Sequence, residues 1–157
     1  MATLSHPGAL SPLPPALRLT VAGDWDQVPA EGAILRAEGR DRGPDTPSLV
    51  LDALTQRPGT DPAVTLRALV DADRERRGFQ EDPAFTIDLA GRSWTAVNVT
   101  WELTDGPAVA LHLVTVLDRG EVQQAVVATG RAQGSRIEED YAAIQDMAES
   151  LVLEVDA

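Results

Sequence analysis

Between Phe85 and Thr129 the chain has the form of an antiparallel β-meander. The stretch reads FTIDLAGRSWTAVNVTWELTDGPAVALHLVTVLDRGEVQQAVVAT, four β-type segments joined by three tight turns. The breaks fall at Ala90-Gly91, Asp105-Gly106 and Asp118-Arg119-Gly120, where a glycine can supply the positive φ of a hairpin turn. Such a pattern specifies a fold and says little about an activity.

Alternation within the meander assigns faces, because successive side chains of a strand point to opposite sides of a sheet. Phe85, Ile87 and Leu89 share one face. In the next segment Thr95, Val97, Val99, Trp101 and Leu103 form an apolar face, with Trp94, Asn98, Thr100 and Glu102 opposite. The third and fourth segments are apolar on both faces, apart from His112 and the glutamines. A strand of that kind must be covered twice. One cover is expected to be a helix; the other is a second helix, a loop or a partner.

The flanking regions supply the covers. Asp61-Pro62 is a helix start, Asp as N-cap and Pro in the first turn, followed by Val64, Leu66, Leu69 and Val70 as the face expected on the sheet. Near the C-terminus, Ser135 with Glu138 reads as a capping box. Ile137, Tyr141, Ile144, Ala148 and Leu151 then recur at helical spacing, and Glu138, Glu139, Asp140, Gln145, Asp146 and Glu149 form an acidic, solvated outer face. Upstream, strands are expected around Leu17–Val21, Ala33–Gly39 and Ser48–Leu54, the last nearly continuous in apolar residues and so central. Trp25 follows a turn and is expected to plug one end of the core. Residues 1–15, with four prolines and no periodicity, read as a tail, and residues 16–157 as a single α+β domain. The expected sheet has about six or seven antiparallel strands packed between helices.

Charge and chemistry narrow the function. The net charge is −12, and all 13 basic residues are arginine, a bias that points to a GC-rich, actinobacterial origin. With no positive stripe to neutralise phosphates, nucleic acid is not an expected partner. Arg74, Arg76 and Arg77 cluster where the first helix should end, and complementing its dipole is their expected role. Cysteine is absent, which removes disulfides, thiolate nucleophiles and thiolate-held metals. No phosphate-binding loop, HExxH, G-x-S-x-G or calcium loop is present, and only two histidines are available, so neither cofactor nor metal is expected. The N-terminus lacks a basic, then apolar leader and no run is long enough to span a membrane, so a reduced cytoplasmic protein is expected.

Five residues stand out as binding candidates. His112 interrupts an apolar strand, where Asn98 or Gln124 is its expected hydrogen-bond partner, and Trp94, beside the Gly91-Arg92 hairpin, is either an exposed interface residue or covered by the terminal helix. Trp94, Asn98, Thr100, Glu102 and His112 are therefore expected to populate one mixed sheet face. The pairs Asp24/Asp26 and Asp71/Asp73 form no recognisable carboxylate dyad and are expected at the surface.

Several segments resemble the PsbP-like superfamily and, within it, the LpqN-type actinobacterial proteins. They are LRLTVAGDWDQVP, SLVLDAL, a helix ending before RGFQ, DLAGRSWTAVNVTW with the hairpins after it, and the closing DMAESLVL, together covering Ala16 to Leu153. The resemblance implies an antiparallel sheet between helices and no catalytic residues. Superfamily members are photosystem subunits, a nuclear-transport GTPase partner and secretion-effector chaperones, all binding modules. The lipobox cysteine and leader of the LpqN type are missing, so membrane anchoring does not carry over. Together with the lack of catalytic groups, this leads to a non-enzymatic protein-binding or chaperone-like module, with a protein partner or a homodimer. The alternative is a small-molecule binder or enzyme with a pocket between sheet and helix near His112.

Overall fold

The computed structural model describes residues 3–154. In chain order the strands are β1 (Ala16–Arg18), β2 (Trp25–Val28), β3 (Leu35–Gly39) and β4 (Ser48–Gln56). Helix α1 (Pro62–Asp71) follows, then β5 (Gln80–Glu81), β6 (Phe85–Leu89), β7 (Arg92–Leu103), β8 (Gly106–Asp118) and β9 (Gln123–Gln133). Helix α2 (Ile137–Glu149) and β10 (Val152–Glu154) close the chain. An eight-stranded sheet runs in the order β2-β3-β4-β9-β8-β7-β5, with β6 also on β7, and β1 pairs β10 in a separate two-stranded ribbon. All pairings are antiparallel. The strand count exceeds the expected six or seven because β2, β5 and β10 are too short to show a period-two pattern.

The meander is present as β6 to β9, and Ala90 and Gly91 both adopt positive φ, 51° and 79°, at its first turn. The central strands are buried on both faces because each face has its own helix. On one face α2 packs across β8 and β9 over Trp94, Ala96, Leu111, Leu113, Val126 and Ala128, with Ile144, Met147 and Ala148 facing down. On the other, α1 places Leu66 and Val70 on Val97, Val99, Trp101, Ala110 and Val114. The result is a helix–sheet–helix sandwich.

Two close approaches fix how α2 sits. A Cβ on Gly130 of β9 would stand 2.3 Å from Ile144 Cγ2, so only glycine admits the helix at this depth. At the helix N-terminus the buried Arg42 reaches Asp140 through Nε (3.1 Å) and Nη2 (2.9 Å), and Asp24 through Nη2 at 2.6 Å. This bidentate pairing with two carboxylates raises the arginine's pKa and lowers that of Asp24.

Several local expectations are corrected. Helix α2 begins at Ile137 after a turn in which Ile137 N–H donates to Gly134 O, so the Ser135–Glu138 capping box does not form. Asp140 is buried rather than solvated because it holds Arg42. Val64 points to solvent, the sheet-facing positions being Thr65, Leu66, Leu69 and Val70. Helix α1 ends at Asp71, ahead of the arginines, which pair with acids instead: Arg74 with Asp71 and Glu81, Arg76 with Asp73, and Arg77 with Glu102. Asp73 itself is buried, gripped by Arg76 at 2.7 Å and Arg131 at 3.1 Å. Trp25 is 3% exposed and begins β2, as a plug at that end of the core. The segment preceding β1 is tied down by Leu13, whose carbonyl accepts from Arg119 and Gln124. Among the described residues no helix is long and apolar enough to cross a membrane.

Candidate functional site

The five residues expected on one mixed face divide between two faces. Val97 pairs with His112 and Asn98 with Leu111, so His112 lies on the α1 side with Val97, Val99 and Trp101. Trp94, Asn98, Thr100 and Glu102 lie on the α2 side. The parity of a two-residue hairpin loop carries this result: Leu103 opposite Gly106 puts every odd residue of β7 beside an even residue of β8. Trp94 is 1% exposed, covered within the α2-side core where Ile87 is its cross-strand neighbour, so it presents no surface. Asn98 accepts a hydrogen bond from the Tyr141 hydroxyl of α2. Burial and the Asp82 carboxylate push that phenol's pKa up. Thr100 is half-buried opposite Val109 and Gln80, and Glu102 is exposed beside Arg77.

His112 is enclosed in a polar cluster under α1. Its Nδ1 meets Thr129 Oγ1 at 3.0 Å, and neither Asn98 nor Gln124 is its partner, since both lie on the other face. Burial, then the neighbouring Arg131 charge, pushes its pKa down to about 4 against an opposing pull from Asp73, so the imidazole is neutral at physiological pH. Arg76 and Arg131 stack over Trp101 at 5.0 Å and 5.7 Å from the ring centre. The chemistry here is that of a clamped ion pair: a buried carboxylate, Asp73, between two partly exposed arginines that also cover an indole. Among the described residues no three His, Asp or Glu side chains converge as metal ligands would.

The second candidate region is the sheet edge made by β5 and β6. Both strands pair with β7, and Glu81 lies opposite Val99 while Phe85 lies opposite Ala96. Four steps along this edge therefore match three along β7, which is a β-bulge at Asp82–Ala84, with Asp82 N–H donating to Asn98 O. On the α1 side the bulge borders a cleft of about 310 Å³ lined by Leu66, Arg67, Val70, Glu81, Asp82 and Val97. On the α2 side β6 borders a smaller groove of about 80 Å³, lined mainly by Phe85, Ile87, Leu89, Leu111, Leu113 and Ala148. Helix α2 lies over β8 and β9, which leaves this groove open. Phe85 is 41% exposed at its mouth, and Glu149 stands on its rim. Sequence reasoning placed Phe85 on a strand face without noticing that its strand ends the sheet. The pairing order decides that.

No family model matches the sequence, and no curated protein matches it. Solved structures do. LpqN of Mycobacterium tuberculosis, described as involved in cell envelope biogenesis, superposes with a TM-score of 0.74 at 17% identity, over 92% of this chain and 87% of that one. The solution structure of cyanobacterial PsbP from Synechocystis gives a TM-score of 0.54 at 15% identity, over 98% and 99%. A Pseudomonas aeruginosa protein of unknown function, described as a putative regulator, gives 0.52 at 13% identity, over 92% and 87%. At these identities the likeness is one of architecture, and it is clear: the chain has the PsbP-like fold, in the form also seen in LpqN.

Proposed function

We propose that the chain is a non-enzymatic module that binds another protein. The observation that carries this is the open β5–β6 edge, which sets an exposed phenylalanine and unpaired backbone groups between two clefts. Free sheet edges with a flanking apolar groove are a recurrent means of recognising an extended segment. The state of His112 supports the same reading: a general base is normally oriented by a carboxylate and poised near the working pH, whereas this imidazole meets a threonine hydroxyl and has a pKa of about 4. Purification of the tagged chain from its native host, followed by mass determination of the eluted species, tests the proposal. A stoichiometric complex with a second protein is expected; a chain that elutes alone under mild salt and cross-links to nothing contradicts it.

One observation favours a second reading, a small ligand held in the cleft of about 310 Å³ between α1 and the sheet. Val97 on its wall is the cross-strand partner of His112. A ligand there would raise the melting temperature in a small-molecule screen, and the substitution Val97→Trp, which fills the cleft, would remove that shift.

A further inference from the structure

We infer that β6 is a docking strand for an extended segment of a partner in which apolar and basic residues alternate. The inference rests on the reading of the chain as a protein-binding module and names the surface and the partner's chemistry.

The two long edges of the sheet are treated differently. At the β2 edge the acids carried by the strands and their entry turn have arginines, Asp24 with Arg42, Asp26 with Arg40 and Glu38 with Arg36, while Glu31 in the β2–β3 turn has none among the described residues. Along β6, Asp82 and Asp88 have no basic partner at ion-pair distance among the described residues, nor has Glu149 on the facing turn of α2. Arg67 across the α1-side cleft and the half-buried Arg92, which donates to Val116 O, are the nearby bases, and Glu81 is already held by Arg74. The rim of this edge is therefore acidic.

Backbone geometry defines the length of chain the edge can take. The bulge at Asp82–Ala84, with Pro83 inside it, ends regular pairing on one side, and the turn at Ala90-Gly91 ends it on the other. Between them β6 offers the five residues Phe85–Leu89. A strand added there keeps the period of the sheet. Its side chains on the α2 side fall beside Phe85, Ile87 and Leu89, at the mouth of the apolar groove. Those on the α1 side fall beside Thr86 and Asp88. Apolar residues suit the first set and basic residues the second, which gives the alternation. A second copy of this chain would bring another acidic rim against the first, at a net charge of −12 per chain.

The test uses a short synthetic peptide of alternating valine and arginine, with a valine–glutamate peptide of equal length as the charge control. Binding is read by fluorescence anisotropy and located by amide exchange. The valine–arginine peptide is expected to bind, to weaken with added salt, and to protect amides of residues 85–89. Phe85→Asp and Asp88→Arg should each weaken it roughly tenfold or more, while Glu31→Arg, which removes the same acid charge elsewhere, should leave it unchanged. Asp88→Arg should also improve binding of the valine–glutamate peptide. No binding, protection located elsewhere, or equal losses for Glu31→Arg and Asp88→Arg would overturn the inference. So would a dimer in sedimentation that Phe85→Asp dissolves, because the occupant would then be a second copy. A native partner whose cross-links avoid β6 would leave the binding module standing and remove β6 from it.

Discussion

The β2 and β6 edges belong to the same sheet and carry acids at similar density, yet one is locked and the other is not. At β2, Arg36, Arg40 and Arg42 pair with three acids, Glu38, Asp26 and Asp24, and Arg42 additionally ties the β3–β4 connection to the start of α2 through Asp140. At β6 the acids remain uncompensated, an aromatic ring is half in solvent, and clefts lie on both sides. Exposed edges are ordinarily blunted by charge, brevity or a bulge. Here the bulge and Pro83 guard one end only, and five residues stay available. The difference separates an edge that stabilises the molecule from one left for recognition.

The largest effect should come from breaking the locked edge. Asp140→Ala leaves Arg42 buried without its main partner, and chemical denaturation should show a loss of about 3–5 kcal/mol. A loss under about 1 kcal/mol would mean that the pair is solvated and the edge not locked. Next comes His112, whose folded pKa of about 4 lies below its ordinary 6.5. Its contribution is fully present above pH 6.5 and is lost as the pH falls toward 4, by about 3 kcal/mol in total. In His112→Gln that slope between pH 6.5 and 4 should vanish from the stability curve, the remaining slope coming from carboxylates. Gly130→Ala should cost about 1–3 kcal/mol by driving Ile144 off β9, and its cost should be smaller in an Ile144→Ala background, where the Cγ2 methyl it meets is gone. Smallest of all, Phe85→Ser should change stability by about 1 kcal/mol or less, as befits a side chain 41% exposed in the free protein.

How much of this was legible in the sequence depends on the range of the interactions involved. The meander turns, the Asp61-Pro62 helix start and the stripe of Ile144, Ala148 and Leu151 are local patterns, and each appears where its residues indicate. Arg42 and Asp140 are 98 residues apart, and Asp73 is enclosed by the distant Arg131 as well as by its near neighbour Arg76, so burial of these charges was not marked by local pattern. His112 was an intermediate case. Its face followed from the parity of a two-residue hairpin loop, and grouping it with Asn98 ignored that rule. The edge position of β6 was not legible, because alternation marks the faces of a strand and says nothing about which strand is last in a sheet.

The most direct test places an aromatic photo-cross-linking residue at single sites on the two edges in cells of the native host: Phe85 and Thr86 on β6, Asp26 and Gln27 on β2. The account predicts one discrete cross-linked protein from both β6 sites and none from β2. Equal labelling from the two edges, or a product from β2 alone, would contradict it.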